Sequence, residues 1–325
     1  MKNIVLFFDE IQNIKGWEKF LNRMYEKGLK IFVTGSNAKL LSSEISTSLT
    51  GRNLILKLHP FSFREFLIYE NKSFDLSYLS TIESVKLKIL FNEYLQYGGF
   101  PLVLHEQNLQ IINTYYQDIL YRDIIARYNL SQVEELKSLS TSLITNIGKL
   151  FSYSKLKNIT KIKSLSSLKT YLDYLSNSYL LYYLSKFDYS YNKQVLNPKK
   201  VYVQDIGFHN SLGFKFSDDK GRILENIVFI ELKRQGKEIY YHKQTKECDF
   251  VTKEGLEITD AIQVTQSLEN EATKKREIEG LIDALKTYNL KEGLILTQDE
   301  EDQITQEGYK IIIKPIWKWL LLEKQ

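Results

Sequence analysis

Ile4-Val5-Leu6-Phe7-Phe8-Asp9-Glu10 is an unbroken apolar run closed by two carboxylates. Apolar residues without alternation read as a strand buried on both faces, as in a parallel sheet covered by helices. The two acids then stand at its C-terminal end. Trp17, Phe20, Leu21, Met24 and Tyr25 follow at helical spacing, and Gly28 ends that helix. Ile31-Phe32-Val33 is a second buried strand, running into the polar turn Thr34-Gly35-Ser36-Asn37. Strand, helix, strand is the unit of a parallel α/β sheet. Leu54 to Leu58, closed by Pro60, is expected to add a third strand.

Outward from this start, composition sets the bounds. The chain has 325 residues, long enough for two or three domains. Only 15 glycines and 4 prolines argue against disorder or a loop-rich scaffold. The one cysteine, Cys248, excludes an internal disulfide framework and suits a reducing compartment. No apolar run approaches the ~18 residues of a membrane span, and the first apolar run is too short for a signal-peptide core. The expectation is a soluble, cytoplasmic α/β protein with no membrane partner.

The net charge is +4, and residues 131–200 carry it, with eleven lysines, no arginine and four acids. Residues 82–130 read as helical, broken by the turn Tyr97-Gly98-Gly99-Phe100-Pro101. Residues 132–186 give three short helical patterns. Tyr179 to Leu184 and Val201-Tyr202-Val203 then form a hairpin with a long basic loop, so a winged helix is expected. The last third reads helix 221–235, strands 239–242, 249–252 and 261–265, helix 270–288, strands 293–297 and 309–314, and a terminal helix.

Two carboxylates at the end of an apolar strand have a specific use. The first, Asp9, reaches a water of a nucleotide-bound magnesium, and the second, Glu10, orients the water attacking the terminal phosphate. This is the Walker B pattern, although acids at strand ends also serve as helix caps. The turn after the next strand strengthens it, because Ser36 or Asn37 would face the phosphate as a sensor. No G-x-x-x-x-G-K-[ST] phosphate loop occurs in the chain, so the backbone donors that cradle phosphates are missing beside these acids.

The chain resembles prokaryotic AAA-like (P-loop ASCE) ATPases in which the core leads into a winged helix and a C-terminal domain with a restriction-endonuclease-like fold. The resemblance rests on Leu6-Phe7-Phe8-Asp9-Glu10-Ile11-Gln12, Thr34-Gly35-Ser36, Leu49-Thr50-Gly51-Arg52, Pro60-Phe61-Ser62-Phe63-Arg64-Glu65-Phe66, Tyr97-Gly98-Gly99-Phe100-Pro101, Cys248-Asp249-Phe250 and Pro315-Ile316-Trp317-Lys318-Trp319-Leu320-Leu321. It implies ATP binding and hydrolysis with magnesium, coupled to nucleic acid. It also implies an arginine, Arg52, that contacts a phosphate in a neighbouring subunit; the alternative is a surface arginine paired with an acid. Members of the family begin upstream with a strand, a phosphate loop and a helix. The expectation is therefore an N-terminally truncated member that lacks hydrolysis by itself, and that self-associates or meets a fragment carrying the missing segment. The expected division is 1–70 partial ATPase core, 71–130 helical lid, 131–210 winged helix and 218–325 restriction-endonuclease-like domain.

Two further sites are expected. In the basic middle, Ser164 or Ser166 caps a helix with Leu168, Tyr171, Leu172 and Leu175 inward. Lys161, Lys163, Ser167, Lys169 and Thr170 are then left to meet DNA, mostly non-specifically. The bland alternative is a solvated lysine face. The C-terminal third resembles the PD-(D/E)XK nuclease core, which implies a metal held by Glu225, Asp249 and Gln263. Thr265 stands in the lysine position and cannot stabilise a developing phosphorane. A binding remnant is expected over a nuclease. A non-enzymatic interaction protein is the rival reading, and a nuclease with a relocated lysine, drawn from Lys246, Lys274 or Lys275, is a third. His59, His105, His209 and His242 are scattered and read as structural.

Overall fold

The computed structural model describes residues 4–11, 14–36, 53–214 and 220–322. Strands β1 (Val5–Phe8) and β2 (Lys30–Val33) are parallel and joined by helix α1 (Trp17–Glu26), with Phe8 opposite Val33. Phe8, Phe20, Ile31 and Val33 close over Ile11, Trp17 and Leu21. On the opposite face Phe7 is 75% and Phe32 44% exposed, their rings stacked at 5.1 Å. Burial on both faces is therefore met on one face only.

Leu54 to Leu58 forms no strand, and Leu58 is 94% exposed, which corrects the expectation for that run. A strand exists through its ladder of backbone hydrogen bonds. Among the described residues β1 and β2 bond only to each other, and the run makes no ladder with either.

Helices α2 (Phe63–Tyr69) and α3 (Thr81–Tyr97) begin with reciprocal capping boxes, Ser62 with Glu65 and Ser80 with Glu83. After the Gly98-Gly99 turn come α4 (Pro101–Glu106) and α5 (Gln110–Gln117), which runs on as a π-helical segment over Asp118–Ala126. The basic middle follows as α6 (Val133–Thr145), β3 (Leu150–Phe151), α7 (Tyr153–Thr160), α8 (Leu165–Asn177), β4 (Leu181–Leu184), α9 (Tyr191–Leu196) and β5 (Lys199–Val203). Strand β5 lies between β3 and β4, antiparallel to both. Its alternation sends Val201 and Val203 into the helical core beside Leu168 and Leu172, and Tyr202 into the core shared with the last third of the chain.

Helices α10 (Ile206–Leu212) and α11 (Lys220–Arg234) lead into β6 (Glu238–Lys243), β7 (Glu247–Glu254), β8 (Glu257–Val264), α12 (Glu271–Tyr288), β9 (Glu292–Thr297), β10 (Asp302–Gln306), β11 (Tyr309–Pro315) and α13 (Ile316–Leu321). The six strands run β10-β11-β9-β8-β7-β6, with β8, β9 and β11 parallel and the remaining pairs antiparallel. Phe250, Ile262 and Leu296 pack toward α11 and α13, whereas Val251, Ala261 and Ile295 pack toward α12. Phe63, Phe66, Phe91 and Tyr94 of α2 and α3 join the same core as Leu224, Ile227 and Trp317.

The β4–β5 hairpin is tied to the six-stranded sheet. Phe187 donates its N–H to Tyr241 O at 2.9 Å, Tyr241 donates to Ser185 O at 3.1 Å, and Tyr241 Oη donates to Pro198 O at 2.6 Å. The long basic loop of the expected hairpin is thus partly built into a neighbouring sheet. No helix among the described residues is long and apolar enough to cross a membrane.

Candidate functional site

Asp9 and Glu10 follow β1, and Thr34 and Ser36 follow β2, so parallel pairing brings all four to one sheet end. Thr34 Oγ1 donates to Asp9 Oδ1 and accepts the Glu10 N–H at 3.2 Å. Ser36 Oγ donates to Glu10 Oε2 at 3.3 Å. One hydroxyl thus spans both acidic residues and a second orients the Glu10 carboxylate. Glu10 takes a left-handed backbone with φ of 47°. Asn37 and Arg52, read as sensor and phosphate-contacting residues, lie outside the described residues.

In the basic middle, Ser164 caps α8 by accepting the Ser167 N–H at 2.9 Å, and the two hydroxyls bond at 2.8 Å. Ser167 is thereby committed to the cap. Lys161, Lys163 and Lys169 are exposed around this helix start, Lys169 lying over the Tyr153 ring at 5.4 Å, and Thr170 is half-buried.

The last third assembles a cluster only partly legible beforehand. Glu225 of α11 and Asp249 of β7 both meet Lys200 of β5, which has 3% of its side chain exposed. Its Nζ stands 2.8 Å from Asp249 Oδ1, 3.0 Å from Glu225 Oε1 and 3.0 Å from Glu247 Oε1. Tyr202, two residues along the same strand, donates its hydroxyl to Glu225 Oε1 at 2.6 Å. Asp249 Oδ2 accepts the Val264 N–H at 3.0 Å. Burial alone would lower the Lys200 ammonium, but Asp249, Glu225, Tyr202 and Glu247 outweigh it and hold the group well above its ordinary range. Burial, with Asp249 adding to it, raises the Glu225 carboxyl. Burial would also raise Glu247, yet Lys200 and Lys243 draw it below the usual carboxylate range.

Gln263 does not turn a free oxygen to this cluster. Its Oε1 accepts the Asp249 N–H at 3.1 Å and its Nε2 donates to Glu277 Oε2, while Arg276 pairs with Glu277 Oε1. Among the described residues no group of three His, Cys, Asp or Glu is arranged to hold a metal ion. Glu225, Asp249 and Gln263 thus do not fit a divalent cation in this arrangement, because an ammonium already takes the electrostatic position between the carboxylates.

The relocated-lysine expectation also shifts. Lys246 pairs with Glu279 at 2.8 Å and Lys275 with the same carboxylate at 3.9 Å, while the lysine that reaches Asp249 is Lys200. Lys200 is one of the eleven lysines of the basic segment 131–200. Its signal was a lysine inside the strand Lys199-Lys200-Val201-Tyr202-Val203, two residues from a tyrosine sharing its partner.

A second polar knot lies where α3, α10 and α11 converge. Asp205 accepts the Gly99 N–H at 2.7 Å and the Gly207 N–H at 2.8 Å. Arg234 donates to Pro60 O at 2.7 Å, and Phe61 N–H donates to Gly99 O at 2.7 Å. The Pro60-Phe61 and Gly98-Gly99 landmarks are therefore packing partners.

The chain carries an AAA-type N-terminal segment: residues 1–67 match the family model of an AAA domain, and residues 88–219 match a domain of unknown function (DUF8612). It is 39% identical over 333 residues to the uncharacterized protein MJ1544 of Methanocaldococcus jannaschii, covering 97% of this chain and 74% of that protein. An uncharacterized protein of Haemophilus influenzae is 31% identical over 330 residues, with 98% of this chain and 78% of that protein covered. The chain belongs to the family of these two proteins.

Proposed function

We propose that the chain supplies the carboxylate side of an AAA-like ATPase site, coupled to nucleic acid, and that its C-terminal α/β unit is a nuclease-like core that binds rather than cuts. The observation that carries the first part is the convergence of Asp9, Glu10, Thr34 and Ser36 at the C-terminal end of two parallel strands, where ligands of open α/β sheets bind. Asp9 would hold a water of the magnesium that arrives with ATP, and Glu10 would orient the attacking water. Asn37 and Arg52 remain proposed sensor and phosphate partners. Magnesium neutralises developing phosphate charge, and the protein's part is to hold the two acids apart and aimed.

A phosphate loop is needed to bring the nucleotide to these acids, and the 325 residues contain no G-x-x-x-x-G-K-[ST]. Titration of the chain with magnesium-ATP should therefore show no binding tighter than millimolar. Fusing a strand, phosphate loop and helix ahead of residue 1 should give ATP hydrolysis that Glu10→Gln abolishes while nucleotide binding persists. Micromolar ATP binding by the chain alone, or turnover indifferent to Glu10→Gln, would overturn the reading.

The order α6, β3, α7, α8, β4, α9, β5 supports a winged helix, and α11, β6, β7, β8, α12, β9 supports a restriction-endonuclease-like core. Exposed Lys161, Lys163 and Lys169 favour contact with DNA phosphates. The site at Glu225 and Asp249 favours the non-enzymatic alternative for that unit, since Lys200 sits where a reacting phosphate's metal would need to be.

A further inference from the structure

Three carboxylates from two elements point at one place, and what they meet there is the end of a lysine from a third. Glu225 comes from α11, Glu247 and Asp249 from β7, and Lys200 from β5. Their oxygens lie 2.8 to 3.0 Å from a single Nζ that is almost fully enclosed. Each carboxylate has a further partner: Tyr202 donates to the same Glu225 Oε1, Lys243 pairs with Glu247 Oε2 at 3.0 Å, and the Val264 N–H donates to Asp249 Oδ2. Three carboxylates packed this closely need a cation, because unpaired buried charges are strongly destabilising.

We propose that the Lys200 ammonium is the resident cation of this site, taking the place of a divalent metal and clasping β5 to α11 and β7. The site is then metal-independent, and divalent cations are kept out by a covalently tethered competitor. The tether explains why the clasp joins sequence-distant parts: Lys200 reaches Glu225 across 25 positions and Asp249 across 49. It also explains the two-residue spacing in β5, since Lys200 and Tyr202 both satisfy Glu225 Oε1. A freely exchanging ion could hold the same carboxylates, but it would not fix β5 against them.

Removing the tether should convert the clasp into a metal site. With Lys200 removed, the Glu225, Glu247 and Asp249 oxygens that it now meets would be free to close on a hard cation. Manganese titration followed by the electron-paramagnetic-resonance signal of the free ion reads binding without any activity. The wild-type chain should bind no manganese in a manner that depends on Asp249. The Lys200→Ala chain should bind one ion, with an affinity at least about tenfold above any wild-type binding, and Lys200→Ala/Asp249→Asn should lose it. Should Lys200→Ala unfold when metal-free, manganese-dependent recovery of its circular-dichroism signal reports the same site. Asp249-dependent manganese binding by the wild type would overturn the proposal. A Lys200→Ala chain that neither binds manganese nor is stabilised by it would do the same.

Discussion

Asp205 Oδ2 accepts the main-chain N–H of Gly99 at 2.7 Å, across 106 positions of sequence. The second oxygen of the same carboxylate accepts the Gly207 N–H, so one side chain caps α10 and pins the turn between α3 and α4. The turn can come this close only without side chains. A Cβ on Gly98 would lie 1.9 Å from Asp205 Oδ1, and one on Gly99 would lie 2.1 Å from Phe61 O.

Gly98→Ala should be among the most damaging small substitutions in the chain. Gly98 has φ of 79° and ψ of −158°, a region essentially reserved for glycine, and the added methyl would also strike Asp205. A loss of about 3 kcal/mol or more is expected from strain and displaced hydrogen bonds together. Urea unfolding of the variant beside wild type measures it, and a change within experimental error would show that the turn can relax.

The same carboxylate should leave a mark on stability against pH. Burial raises the Asp205 carboxyl from 3.8 to about 6, even though the Gly99 and Gly207 N–H groups and Arg234 oppose the rise. The folded state therefore holds this proton more tightly than the unfolded state. The contribution is complete below about pH 4, falls as pH rises toward about 6, and is level above, a span of up to about 3 kcal/mol. Asp205→Asn should remove that slope and also lose one acceptor, at about 1–3 kcal/mol. Chemical denaturation of both chains between pH 4 and pH 7 gives the difference curve; parallel curves would refute the assignment.

The uncovered face of the β1–β2 pair should make the chain sticky. Phe7 and Phe32 are exposed together, among the described residues β1 and β2 have no further strand partner, and an apolar face with unpaired edges invites another chain. Sedimentation velocity should show concentration-dependent self-association, reduced in Phe7→Ser/Phe32→Ser. A monodisperse wild type would remove the basis for it.

Contact with DNA, if made through α8, should be electrostatic. Changing Lys161, Lys163 and Lys169 to alanine should weaken binding for all sequences alike and flatten the dependence of log K on log salt by about 0.9 per lost phosphate contact. Fluorescence anisotropy with two unrelated duplexes tests both features. Binding unchanged in the triple variant would move the contact elsewhere.

What could be read in advance followed from periodicity and caps. Val5 to Phe8, the Ser164 cap and strands β7 to β9 announce themselves through local pattern, which needs no knowledge of the partner. Leu54 to Leu58 misled for the complementary reason: its apolar run is what a strand needs, but the ladder must come from elsewhere. Strand β10 was missed because Asp302, Gln303, Thr305 and Gln306 are exposed on an antiparallel edge, where polarity replaces alternation. Glu225 and Asp249 were found through a motif, whereas Lys200 was not, because nothing local distinguishes a lysine that will be enclosed from ten others in the same basic stretch.

The seam between the hairpin and the six-stranded sheet has a practical corollary for anyone cutting the gene. A piece starting near residue 218 would carry away Glu225, Glu247 and Asp249 but leave their counter-ion behind. It would also open the socket where Phe187 sits against Tyr240 and Tyr288. Such a piece should be acid-tolerant and salt-hungry, recovering its fold only when protons or added cations do the work of the amputated strand.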